Sequence, residues 1–267
     1  MQAMIEQVKR VAMEAATAAG KLAKSRFDGA FAVEEKDEHG DLVTEVDRLA
    51  EAIILEKIRA EFPEHGIRSE ETGWSGVEGD YLWLVDPLDG TNNYAIGLPL
   101  YAVAITFFVQ REAMVGVIYD SVQDKLYLAE RGKGATCNGQ PLRIKAPKAG
   151  RKLTLGWIQG HIVQKEERAM RLKHHLDLTA KRVLRVWAPT LVWCMMARGD
   201  LDGVVLYNSE GDDLYAGLLL LQEAGGLVID FDGEPFAGMH AEPYLVGCHP
   251  DKRNELLAVV QEGLLHT

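Results

Sequence analysis

The most constraining stretch of this chain is Tyr81-Leu82-Trp83-Leu84-Val85, an apolar run that passes without a break into Asp86-Pro87-Leu88-Asp89-Gly90-Thr91. A short continuous apolar run of this kind predicts a strand covered on both faces. The chain must therefore supply packing layers on either side of one sheet. It must also deliver two carboxylates, Asp86 and Asp89, to the end of a buried strand, where acids converge on a crevice. Two acids three residues apart in a proline-stiffened turn face one point. Hard cations such as Mg2+ take oxygen ligands, and Asp86, Asp89 and the Leu88 carbonyl offer several. Gly90 lets the backbone approach a ligand closely, and Thr91 opens a short helical stretch whose N–H groups suit a phosphate. Cation ligands and an anion cradle thus adjoin, the pairing that metal-assisted phosphate chemistry needs. The plainer alternative is a strand-to-turn transition in which both aspartates only cap backbone groups.

The remaining pattern supplies the layers. Ile5, Val8, Val11, Ala12, Ala15, Ala19 and Leu22 recur at three- and four-residue steps, predicting an amphipathic helix over 2–26 that ends at Phe27-Asp28-Gly29. Thr44 with Asp47 three residues later resembles a capping box opening a second helix over about 44–61. Strands are expected at 101–109 and 113–119 as a hairpin, and at 125–129, 153–158, 182–187, 201–206, 227–231 and 243–248. Helices are expected near 164–177, 189–198 and 212–224, and from Asp251. We therefore expect an α+β layered sandwich with alternating α-β-α-β-α layers. At 267 residues it reads as a single compact domain, with an N-terminal α+β subdomain of about 1–145 and a C-terminal α/β subdomain of about 146–267.

Lys and Arg total 29 against 40 Asp and Glu, a formal net charge of −11. Such a balance argues against nucleic acid as a partner, since that binding is driven by phosphate neutralisation. It poses a difficulty for an anionic substrate that bound divalent cations would remove, because they reverse the local field. Most of these acids simply keep the surface solvated. Cys137, Cys194 and Cys248 form no CxxC pair, so neither a zinc cluster nor a disulfide framework is expected, and a cytoplasmic setting follows. The N-terminal helix pattern carries charges unlike a signal peptide, and no run of about 18 apolar residues predicts a membrane span.

Two further acidic elements are weak alone. Glu70-Glu71-Thr72 reads as a solvated pair. Asp213, in Glu210-Gly211-Asp212-Asp213, heads the apolar stretch 214–222 and reads as a helix cap. Taken in order, however, five segments resemble the inositol monophosphatase family. Asp41-Leu42-Val43-Thr44-Glu45-Val46-Asp47 is similar to its DLVTxxD element and Ser69-Glu70-Glu71-Thr72 to its GEES element. The run Trp83 to Tyr94 resembles WxxDPxDGTxNF, with Tyr for Phe. Gly132 to Gly139 resembles the GxGAxxNG turn. Asp213-Leu214-Tyr215-Ala216-Gly217, ending in Glu223-Ala224-Gly225-Gly226, resembles WDxAAG…EAGG.

That resemblance implies Mg2+-dependent hydrolysis of a small phosphorylated metabolite, with two or three ions and sensitivity to lithium. By matching positions, Glu70, Asp86 and the Leu88 carbonyl would hold one ion. Asp86, Asp89 and Asp213 would hold a second, and Glu70 would help place a third. Thr91 and Asp47 would orient a metal-activated water and help take its proton, and the Gly90 and Thr91 N–H groups would hold the phosphate. A homodimer is also implied.

The sequence departs from the family pattern in places. Asp212 stands where the second signature usually has Trp. Val186-Trp187-Ala188-Pro189-Thr190 replaces a run of small residues that borders the sugar. Trp187 and Pro189 are bulky, so a reshaped leaving-group pocket is expected; the alternative is that Trp187 packs in the core. Lys36 aligns with a lysine that the resemblance places on a mobile loop near the third ion; the acid-rich loop around it here (Glu34, Glu35, Asp37, Glu38) is read as flexible and solvated, though able to close over substrate. His161, His174, His175 and His249 are read as surface or helix-end residues. Asp200-Leu201-Asp202-Gly203 mimics an aspartyl-phosphatase motif but is read as a turn. Substrates kept open are inositol or sugar phosphates, fructose 1,6-bisphosphate, a 3′-phosphoadenosine-type nucleotide and histidinol phosphate. A catalytically silent binding protein is the non-enzymatic alternative.

Overall fold

A computed structural model describes residues 1–36, 40–147, 150, 152–209, 211, 213–239 and 243–265. Helix Gln2–Arg26 lies beside helix Glu45–Glu61 on one face of an eight-stranded sheet. The second helix opens on a complete capping box: Thr44 Oγ1 accepts from the N–H groups of Val46 and Asp47, and Asp47 accepts from Thr44 N. Strand order in the sheet is Gln140–Leu142, Gly134–Cys137, Lys125–Glu130, Glu112–Asp120, Ala102–Val109, Tyr81–Asp89, Gly66–Ser69 and Gly73–Ser75. Its neighbours are antiparallel except Gly66–Ser69 against Tyr81–Asp89, which run parallel.

Alternation along the strands assigns each face its cover. Trp83, Val85, Val103, Ile105, Phe107, Val115 and Val117 pack under the two long helices. Leu84, Ala102, Ala104, Phe108 and Ile118 point the other way, onto helices Pro189–Ala197 and Leu214–Glu223. Those two helices are apolar all round because both their faces are covered. Their far side meets Ile158, Val204, Leu206, Val228 and Leu245 of a five-stranded mixed sheet. Its order is Arg182–Leu184, Thr154–Gln159, Gly203–Tyr207, Tyr244–Cys248 and Leu227–Asp230. Helices Glu167–Thr179 and Arg253–Leu265 close its outer face over Leu155, Trp157, Val205, Tyr207 and Val246. The layers therefore run α-β-α-β-α, as expected.

The correction that bears on function concerns 86–89. The expected turn is instead the end of a nine-residue strand, Tyr81–Asp89, whose pairing with Ala102–Val109 shifts register between Asp86 and Asp89. Such a bulge re-aims side chains. The Val33–Glu35 and Leu42–Thr44 strands form a small hairpin of their own, whereas Asp37 and Glu38 lie outside the described residues.

Candidate active site

Each candidate side chain is placed by its element. Ser69 is in parallel register with Val85, and Glu70 N donates to Val85 O at 3.0 Å, so Glu70 emerges beside Asp86. Asp86 and Asp89 leave the bulged strand end, both 4% exposed. Asp213 comes from the start of helix Leu214–Glu223, where its side chain makes no capping hydrogen bond. Instead, carboxylate oxygens of Asp86, Asp89 and Asp213 lie within 4.8 Å of one another. Glu210 and Asp212 lie outside the described residues.

Glu70 flanks this trio. Its charge is, after burial, the largest influence raising the Asp86 pKa well above the carboxylate range, with Asp89 and Asp213 adding to it. Burial likewise pushes Asp89 up to about 7, against the hydrogen bonds of Thr190 that lower it. Thr190 N donates to Asp89 Oδ2 at 2.9 Å and Thr190 Oγ1 donates to the same oxygen. Asp86 Oδ1 accepts from Leu88 N at 2.9 Å. The cap alternative thus captures part of what Asp86 does and none of what Asp213 does.

Behind the trio, Thr91 Oγ1 lies 2.7 Å from Asp47 Oδ1 and 2.9 Å from Leu88 O. Its one proton is committed to these acceptors, which leaves an oxygen lone pair for a further donor. Asp47 is 1% exposed. Burial raises its pKa, opposed by hydrogen bonds from Thr44 and Thr91. At Gly90 the backbone takes φ +96°, and a Cβ there would stand 2.7 Å from Leu100 O. Only glycine fits both demands.

These groups open on a cavity of about 240 Å3 lined by Glu70, Asp86, Leu88, Asp89, Gly90, Thr91 and Asp213, with Trp187 and Pro189 on its wall. Trp187 is 51% exposed, which overturns the core-packing alternative. Asp41, Asn92, Gln159, His161, Arg185, Ser209 and Gly211 complete the lining. His161 was expected at an ordinary surface, and no spacing signal marked it. Lys36 corrects the picture of a solvated loop. Its ammonium lies 2.7 Å from both Glu70 Oε1 and Glu71 Oε1 and 3.9 Å from Asp41. Burial alone would lower its pKa, but the charge and hydrogen bond of Glu70, then those of Glu71, raise it instead. A larger cavity of about 680 Å3 lies elsewhere, beside Phe231 and Tyr244, but its Asp230 carboxylate serves a turn, accepting from Asp232 N and Glu234 N. Asp200 and Asp202 also act locally, on Arg198 and on Thr154 N. Among the described residues no helix is long and apolar enough to cross a membrane.

Comparison with known proteins agrees with this geometry. The chain is 35% identical over 233 residues to the Nus factor SuhB of Haemophilus influenzae, covering 83% of this chain and 84% of that one. It is 33% identical over 240 residues to human inositol monophosphatase 2, covering 86% and 82%. The crystal structure of the extragenic suppressor protein suhB from Bartonella henselae superposes with a TM-score of 0.88 at 27% identity, covering 96% of this chain and 99% of that one. The inositol monophosphatase family model matches residues 4–264, and the chain belongs to that family.

Proposed function

We propose that this chain hydrolyses a small phosphate monoester, inositol monophosphate or a related sugar phosphate, with Mg2+ held by Asp86, Asp89 and Asp213. The observation that carries the reading is the gathering of three acidic oxygens from two distant segments within 4.8 Å of one another. Oxygen atoms gathered this closely are the donor type a hard divalent cation takes. Three like charges on a largely buried wall are unfavourable unless cations offset them. Glu70 and the Leu88 carbonyl extend the donor set; that carbonyl keeps a lone pair beyond the one facing Thr91.

When bound, divalent ions offset the negative charge of the phosphate and lower the pKa of water in the pocket. The chain's own groups do the rest. Gly90 and Thr91 present backbone N–H groups to phosphate oxygens at the strand-to-helix junction. Thr91 Oγ1, fixed between Asp47 and Leu88, orients the attacking water through its free lone pair. As the water oxygen bonds to phosphorus and the ester P–O bond breaks, the water's proton passes to Thr91 Oγ1. The Thr91 proton passes in turn to Asp47, whose basicity is raised by burial, and the departing alkoxide takes a proton from solvent. Trp187 and Pro189 face the alcohol that leaves. The family resemblance further supports a cytoplasmic homodimer.

The name of the Haemophilus relative supports a second reading, a regulatory protein that keeps the fold. The retained set of Asp47, Glu70, Asp86, Asp89, Thr91 and Asp213 favours catalysis, because a binding module has no need of clustered like charges at such cost. The test is phosphate release from inositol 1-phosphate, fructose 1,6-bisphosphate, 3′-phosphoadenosine 5′-phosphate and histidinol phosphate, with Mg2+ or with chelator. Turnover is expected only with Mg2+, and Asp86→Asn is expected to abolish it. Full activity in that variant would refute the proposal.

A further inference from the structure

Trp187 stands against local preference in both backbone and side chain. Its φ is +53°, and it is the one non-glycine residue lining the acidic cavity with positive φ among the described residues. A bulky residue takes that region only where its surroundings hold it there. Asn93 does so, Nδ2 donating to Val186 O at 2.7 Å and to Trp187 O at 3.3 Å. The indole is half exposed, so burial of the ring does not account for keeping it in a strained position. What the ring does is carry Arg185, whose guanidinium carbon lies 5.6 Å from the indole centroid.

Among the described residues, Arg185 is the one Lys or Arg lining a cavity that bears Asp41, Glu70, Asp86, Asp89 and Asp213, Lys36 being already paired with Glu70. Among the described residues its guanidinium makes no ion pair or hydrogen bond. Partial burial pulls its pKa down, and no neighbouring acid pulls it back. The guanidinium thus rests over the indole and is paired with none of the carboxylates described in the same cavity. A recess of about 30 Å3 adjoins it, lined by Trp157, Ile158 and Val192 and by Gln159, Arg185, Trp187 and Pro189, the last four of which also line the main cavity.

We propose that Arg185, braced on Trp187, reads a second anionic group on the leaving alcohol, so that the preferred substrates are small phosphate esters carrying a further phosphate or carboxylate. The inference rests on the phosphatase reading above and names its substrate class. A guanidinium presents paired donors that match either oxyanion. A singly phosphorylated polyol would leave that fork unused.

The test compares kcat/KM, at fixed Mg2+, for four esters. Fructose 1,6-bisphosphate carries a second phosphate and 6-phosphogluconate a carboxylate, whereas inositol 1-phosphate and glycerol 2-phosphate carry neither. The proteins are the parent, Arg185→Gln, Arg185→Lys and Trp187→Gly; glycine takes φ +53° without strain, so the last keeps the backbone. In Arg185→Gln the preference for the esters with two anionic groups over the pair with one is expected to fall about ten- to a hundredfold, through KM. Arg185→Lys is expected to restore part of it, and Trp187→Gly to lose part. Whichever ester with two anionic groups shows the larger drop identifies the second group. A preference within twofold of the parent in Arg185→Gln would overturn the role of Arg185 while leaving the phosphatase reading intact. A parent that releases phosphate from none of the four would overturn both.

Discussion

Replacing Asp89 with asparagine is expected to remove catalysis and stabilise the metal-free protein. Asp89 is buried beside other acids, and its pKa in the folded chain is about 7 against an ordinary 3.8. A difference of about three units corresponds to roughly 4 kcal/mol. The unfolded chain ionises first as pH rises, so the folded state binds the extra proton between those values. The stability it contributes is complete below about pH 4 and lost as pH rises through about 7. At pH 8 the ionised side chain therefore opposes folding unless a cation is bound. Asparagine removes the charge and keeps an oxygen for Thr190 N, which donates to Asp89 at 2.9 Å. At about 2–4 °C per kcal/mol for a chain of this size, the metal-free variant should melt up to about 8–16 °C above the parent at pH 8. At pH 5, where only the unfolded chain's Asp89 is ionised, the gap should narrow to less than half, and it should close below about pH 4. Added Mg2+ should raise the parent's melting temperature at pH 8 and leave the variant nearly unmoved. Thermal melts by circular dichroism in chelator and in Mg2+, at both pH values, decide the matter. A metal-free Asp89→Asn protein that melts at or below the parent at pH 8 would refute the reasoning.

Asp47→Asn takes away the buried acceptor behind Thr91 and should lower kcat about 10²–10⁴-fold with a much smaller change in KM, read by steady-state kinetics. Thr44→Val breaks the capping box and one anchor of Asp47; a stability loss of about 1 kcal/mol in urea, together with reduced kcat, is expected. Gly217→Ala drives a Cβ into the Trp193 ring between the two central helices, and an overpacking cost of about 1–3 kcal/mol should appear as a lower urea midpoint.

Local pattern made much of this molecule legible. The three- and four-residue apolar steps of 2–26, the Thr44–Asp47 capping box and the apolar run 81–85 each report a single element meeting the core. The acids at 86 and 89 were legible because both stand at the end of that run. What joins separate segments was harder to read. The four-residue strand Gly66–Ser69 has no distinctive composition, yet its parallel register is what sets Glu70 beside Asp86. Thr190, 101 positions from its partner Asp89, carries no sequence mark of its role. Lys36 sits in a run of acids that resembles a solvated face; the family resemblance hinted at a place near the site, and the fold turns its ammonium toward Glu70 and Glu71. Trp187 has the composition of a core residue; its positive φ, which turns the ring to the cavity, is a backbone property that composition does not encode.

The central claim is that Asp86, Asp89 and Asp213 form a cation site only together. Mg2+ titrated calorimetrically into the parent and into Asp213→Asn, each in the presence of inorganic phosphate, measures this directly. The account predicts saturable binding by the parent and affinity at least about a hundredfold weaker in the variant, because the helix start at Asp213 supplies the far side of the site. Equal affinity in the two proteins would contradict it.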